Sequence, residues 1–411
     1  MNWLLFALGI VVIGFTSANV LFTMVLPRRP FGIDRLGLWI NRVVLVATSY
    51  LSRFASTYER KDSVLSPMGP FALLLQLVTW AGGLTVGFGL LIAATGHPMG
   101  DAFLQSLTSL FTVGAARVGG RPVVAVDITA GAVWVVIVAL QIAYLPTLYG
   151  AFSRREALVA LLESRAGLPA WGPEVLVRHQ LVGIIDTLPE LYASWEEWAA
   201  DVAESHTTYP VLLLFRSPEP WYSWVVGLLA VLDAAAIHLA VAPSSASSKA
   251  RLCLRMGFTL LDRIAIALGW EVDPDPSPEG PIALPYDEYE QAIGKLAEVG
   301  FPIERSAEES WPDFRGWRVN YEAVAYRLAD RLTAPPAPWS GTRRHLRGGP
   351  VLPRRPPQRR PGQRATPSHA VVGPAPRRVP RRRRPPREQR ISPEETEGGS
   401  RSRGGRAPEG T

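Results

Sequence analysis

The sequence predicts an all-α membrane protein: apolar membrane helices with a re-entrant pore helix, then a cytoplasmic helical bundle and a disordered basic tail. Three observations predict it. Three apolar runs are long enough to cross the roughly 30 Å hydrocarbon core of a bilayer. The stretch 151–334 alternates amphipathic helical patterns with proline-rich breaks. The net charge of +7 is also unevenly divided: from Pro335 onward there are 19 arginines and 5 glutamates, a net of +14, so the first 334 residues carry −7. The single cysteine, Cys253, excludes a disulfide framework or a thiolate metal cluster, because both need thiols in sets.

The first run, residues 1–26, reads MNWLLFALGIVVIGFTSANVLFTMVL and is followed by Pro27-Arg28-Arg29-Pro30. A cleaved leader favours a positive start and a shorter apolar core, so the run is expected to stay as a span. Arginines after it place that end inside and the N-terminus outside. Residues 34–54 carry Arg35, Arg42 and Ser49 on one stripe, with Leu38, Trp39, Val43, Val46 and Tyr50 opposite, the pattern of a helix lying in the membrane interface. Spans follow at 69–96 and 124–150, the second ending before Arg154 and Arg155. The expected location is the plasma membrane, multi-pass, with the C-terminus cytoplasmic.

Between these two spans lies DAFLQSLTSLFTV, residues 101–113, too short to cross a bilayer and too apolar for an exposed loop. Asp101 is placed to cap a short helix and Gly114 to end it. A short helix held between two spans and closed by a glycine turn is the arrangement of a re-entrant pore helix, since non-helical backbone at membrane depth survives only in protein or beside water.

Span, short helix, Thr112-Val113-Gly114 and span together resemble the pore module of potassium channels, whose filter motif is Thr-Val-Gly-Tyr-Gly. The resemblance covers the module at 69–150, with its pore loop at 101–117. It implies an ion-conducting filter at Thr112, Val113 and Gly114, an outer mouth bearing Asp101 and Arg117, a monovalent cation such as potassium as the transported partner, and a homotetramer, because one loop per chain cannot close a filter. The pattern departs from the family at Ala115 and Ala116, which replace Tyr and Gly, and Arg117 repels cations. In the third span, Gly131 and Pro146 stand where a hinge and a kink would make a gate; both residues are also common in membrane helices at large.

From 151 to 334 the chain is expected to form the cytoplasmic bundle. Leu188, Leu191, Trp195 and Trp198 fall at helical spacing and predict core, after a break at Pro189. The run 221–242 is long enough to span, yet spanning would bury Asp233 in lipid and carry the arginine tail outside. It is read as a buried bundle helix, with Asp233 paired to Arg255 or Arg263. The phrases HTTYPVLLLFRSP and FRGWRVNYEAVAYRLA resemble those of uncharacterised bacterial channel-like proteins.

No phosphate loop, zinc-binding helix signature or nucleophile elbow is present, so no enzyme activity, cofactor or metal is expected. Glu196-Glu197 and Asp273-x-Asp275 read as solvated charges. The tail, 335–411, is too polar for a core and is expected to be disordered, its arginines attracted to anionic inner-leaflet lipids in preference to nucleic acid. Two functions are thus open: a cation-conducting pore subunit, or a non-conducting membrane scaffold or sensor acting through the bundle and tail.

Overall fold

The structure, a computed structural model, describes residues 2–25, 35–113 and 119–341. Among these it is all-helical, with no strand. In chain order the first part holds α1 (Trp3–Met24), α2 (Arg35–Ser52), α3 (Tyr58–Leu65), α4 (Met68–Ala94), α5 (Met99–Leu110) and α6 (Arg121–Ala166). The remainder holds α7 (Gly172–Val182), α8 (Leu188–Thr208), α9 (Trp224–Val241), α10 (Ser248–Ala267), α11 (Tyr286–Glu298), α12 (Ala307–Arg318) and α13 (Glu322–Arg331).

Helices α1 and α6, the Tyr58–Ala94 stretch that contains α4, and α9 are long and apolar enough to cross a membrane. They differ in what surrounds them. Only 22% of the apolar window of α1, and 22% of that of α6, is buried inside the protein, against 94% for α9. A helix in lipid turns apolar side chains outward. Instead, α9 spends its own on neighbouring helices and forms the centre of the bundle, packed against α7, α10 and α12.

Close packing of α1 on α4 comes from small residues. A Cβ on Gly9 would lie 2.8 Å from the Gly87 carbonyl oxygen, so neither helix can approach this closely with a side chain there. One buried polar pair accompanies them, Trp80 Nε1 donating to Asn19 Oδ1 at 2.8 Å.

Helix α6 runs unbroken for 46 residues, about 69 Å at 1.5 Å per residue. It continues past the predicted span end at Gly150 and past Pro146, and stops at Gly167, whose φ of +75° suits a residue without a Cβ. Its lower part enters the bundle. There the spacing argument holds: Leu188, Leu191, Trp195 and Trp198 are all buried, and Pro189 sits in the first turn of α8, where a missing N–H costs nothing.

Two sequence expectations are corrected. Asp233 pairs with neither Arg255 nor Arg263 but with Arg318 of α12, at 2.5 Å, and accepts from Tyr321 Oη at 2.8 Å. The reason is topological: α12 crosses α9 at the turn holding Asp233. The tail does not begin at Pro335. Pro335, Pro336, Ala337, Trp339 and Ser340 are buried, and the Trp339 carbonyl accepts from Arg318 Nη2 at 3.0 Å; the indole and the two prolines supply the apolar area that holds this stretch on the bundle. The rest of the tail, from residue 342, lies outside the described residues.

Candidate functional site

The site is built where α5 folds back between α4 and α6. Helix α5 starts beside the end of α4 and runs down it. Ser106 Oγ donates to the Thr85 carbonyl at 2.9 Å, nine residues before Ala94, which puts this contact about 13 Å below the end of α4. The ring of Phe111, just past α5, packs edge-on against Trp134 at 5.4 Å. Trp134 is thirteen residues into α6, roughly 20 Å from its first residue. The C-terminal end of α5 therefore sits well inside the helical layer.

A polar clasp holds it there. Gln105 and Ser109, one turn apart on α5, present donors to a single carboxylate on α6: Gln105 Nε2 to Asp127 Oδ2 at 2.8 Å, and Ser109 Oγ to Asp127 Oδ1 at 2.7 Å. Hydrogen bonds to an ionised group run about 1.5 to 3 kcal/mol, so this clasp outweighs any neutral contact in the layer. Sequence reasoning missed it. An acidic residue four places into the third apolar run, together with a Gln and a Ser spaced i, i+4 in the short helix, was the available signal.

Of the residues expected to form a filter, Thr112 and Val113 follow the C-terminal end of α5 and are exposed within one chain. Thr112 has φ +57°, an uncommon conformation for a β-branched residue, and its N–H bonds to the Ser109 carbonyl at 3.1 Å; the Val113 N–H bonds to Thr108 at 2.9 Å. Val113 is 70% exposed within one chain. Gly114 and Arg117 lie outside the described residues. Two helix limits are corrected: α5 begins at Met99 after Pro98, so Asp101 is its third residue and not its cap, and it ends at Leu110, short of Gly114. Pro98 fixes the start because its φ is set by its ring; Asp101 still complements the positive N-terminal end. Gly131 faces the Ser109 carbonyl, which a Cβ would approach to 3.4 Å, while Pro146 is exposed. The structure thus brings Thr112, Val113 and Gly131 to one region and leaves Asp101 and Pro146 at either side of it.

At the other end, the phrase HTTYPVLLLFRSP forms a 3₁₀ turn, Pro210–Leu214, inserted among α2, α4 and α6. Arg155 of α6, one of the two arginines after the predicted span end, is fully buried on this turn. It donates to the Leu212 carbonyl at 3.0 Å and the Phe215 carbonyl at 2.6 Å, and pairs with Glu156 at 2.7 Å. Its Nη1 also lies 3.0 Å from His206 Nε2. A guanidinium has only donors, so Nε2 accepts and His206 carries its proton on Nδ1, toward Ser205 Oγ at 3.0 Å. Burial, then the charge of Arg155, hold the His206 imidazole well below its ordinary pKa.

Among the described residues no group of three His, Cys, Asp or Glu side chains is placed to hold a metal. Asp273 and Asp275 are exposed and make a turn, with Asp273 Oδ1 accepting the Asp275 N–H at 3.1 Å. The class defined so far is an all-helical protein with candidate membrane-spanning helices. Comparison with known protein families, curated proteins and solved structures finds no match to the chain.

Proposed function

We propose that the chain is one subunit of a passive cation pore at a cell membrane, assembled as a homotetramer around the loop after α5. The observation that carries the reading is the fold-back of α5, clasped at Gln105 and Ser109 by Asp127 of α6, which puts a helix C-terminus about 20 Å inside the layer. The negative end of a helix dipole favours a cation, and water exclusion strengthens it. Thr112 and Val113 sit at that end, with hydroxyl and carbonyl oxygens of the type that replace a hydration shell. The surface of α6 fits assembly: Ala125, Thr129, Ala132, Ala139 and Ala143 are exposed along one side, interrupted in the same row by Val136, and small residues let membrane helices pack closely.

Purified protein reconstituted in liposomes tests this. A tetramer in detergent and flux of potassium or sodium over chloride are expected. A monomer, or tetramers that pass no ion, would leave the scaffold or sensor reading, with the bundle and the Arg-rich tail as its working parts.

A further inference from the structure

Two guanidinium groups of α13 share one aromatic ring, and the charge of a third, on α2, acts on them. Arg327 and Arg331, one turn apart on α13, both lie on the indole of Trp270, with Cζ 4.1 and 5.9 Å from the ring centroid. The end of α13 lies beside α3, Tyr58 Oη donating to the Thr333 carbonyl at 3.2 Å, and α3 packs on α2, which carries Arg42; burial, then the charges of Arg42 and Arg327, lower the proton affinity of Arg331. Among the described residues none of the three is in an ion pair; the pairs that form hold Arg154, Arg155, Arg178, Arg216, Arg305 and Arg318. Arg42 and Arg327 are exposed, and Arg331 is half-buried. Like charges held together repel, and a bound anion offsets that repulsion. A cation–π contact with Trp270 uses none of the guanidinium N–H donors, which suit an oxyanion.

A second observation narrows the ligand. The structure corrects the placing of Trp39, Val46 and Tyr50 opposite Arg42: Trp39 and Val46, one turn to either side of it, are exposed on the same side of α2, each 60%, with Tyr50 at 58% beyond them. A free phosphate uses only the arginines. A molecule that uses both surfaces has an anionic head and apolar chains.

We propose that Arg42, Arg327 and Arg331 form a binding site for the phosphate of an anionic phospholipid whose acyl chains lie along the exposed face of α2. The site rests on the membrane reading of α1, α4 and α6, and is separate from the Arg-rich tail. At about 1 kcal/mol for each arginine near an anionic lipid, three of them correspond to roughly a hundredfold in affinity.

Full-length protein in detergent, labelled with a photoactivatable phosphatidylglycerol and digested for mass spectrometry, tests it. Label is expected on peptides of α2 and α13, falling at least tenfold in the triple variant R42Q/R327Q/R331Q and with phosphatidylcholine in place of phosphatidylglycerol. Label on the tail, unchanged in the triple variant, is the internal control, and an unchanged melting temperature shows that the variant is folded. Equal labelling of α2 and α13 by both lipids, label on the tail alone, or competition by inorganic phosphate as strong as by short-chain phosphatidylglycerol would overturn the proposal. Release of the protein from membranes by carbonate would overturn the membrane reading instead.

Discussion

Arg216 reaches Asp62 across the boundary between the two parts of the protein, Nε to Oδ1 at 2.6 Å, with both side chains less than a tenth exposed. The same guanidinium donates to Tyr58 Oη at 2.8 Å and to the carbonyls of Leu332 at 2.5 Å and Thr333 at 3.2 Å. One side chain thus ties α3, which precedes α4, to the end of α13. Removing one partner of a buried pair leaves the other charge uncompensated, at about 3 to 5 kcal/mol. Arg216→Met is therefore expected to lower the melting temperature markedly, and the double variant with Asp62→Leu to recover most of the loss. Equal melting of the single and double variants would show that the pair is not the source.

The clasp on α5 has its own test. Asp127→Asn keeps the shape but loses the charge and one acceptor, and its new NH₂ group opposes a donor from Gln105 or Ser109. A loss of roughly 2 to 3 kcal/mol in stability is expected, together with reduced liposome flux. Gln105→Leu should give a smaller fall in both. If Asp127→Asn alters stability and leaves flux intact, the clasp is structural and the pore lies elsewhere.

The buried histidines of the bundle give it a pH dependence that can be isolated. Burial is the first cause lowering the pKa of His179, His206 and His238, and it takes His238 down to about 4. Unfolded, each titrates near 6.5. Above that pH neither state is protonated and their contribution is flat. As pH falls from about 6.5 toward each lowered value, the unfolded chain takes protons that the folded one refuses, and their contribution to stability falls. Burial acts the other way on Asp233 and Asp262, each raised to about 6, which take protons in the folded chain first and offset part of that fall. The histidine contribution is therefore read as a difference: between pH 7 and 5 the denaturant midpoints of His238→Gln and of the native chain should diverge by about one proton in slope, the variant losing less stability toward acid. Identical slopes would contradict the burial of His238.

The boundary of the folded part is also checkable. Trp339 is 2% exposed, in edge contact with Trp171 at 5.8 Å. Truncating a buried aromatic costs about 3 to 5 kcal/mol, so Trp339→Ala should destabilise the bundle by that order. Ending the chain after Gly341 should change its melting little. Comparable losses in both would mean that the tail contributes to the fold.

What the sequence revealed, and what it hid, follow separate physical lines. Periodicity and length are local, so α1, α2, α4, α9 and the core positions around Trp195 and Trp198 were legible. Partner choice is not local. Asp233 and Arg318 are 85 positions apart, and nothing in either helix alone favours Arg318 over the nearer Arg255 and Arg263. Helix α12 was overlooked although its signal was local: Ser306 and Glu309 form a reciprocal capping box. The candidate site was half legible. The short helix and Thr112-Val113 stood out by their place between apolar runs, while the clasp needed three residues from two helices to be seen together. The burial of Arg155 is hidden for a related reason, since a charge at a span end is the expected flank whether it meets water or, as here, backbone carbonyls.

The continuity of α6 gives the protein a mechanical property. Asp127 holds α5 near its upper end, and Arg155 holds the Pro210–Leu214 turn 28 residues lower, roughly 42 Å away on one continuous helix. A tilt of about 5° of the whole helix around the upper hold would carry the lower one sideways by nearly 4 Å, more than the length of a hydrogen bond. Pro146 lies between the two holds and removes one backbone hydrogen bond there, so a bend at that point is the way for one end to move without the other. The helix is a lever whose load arm ends in the bundle.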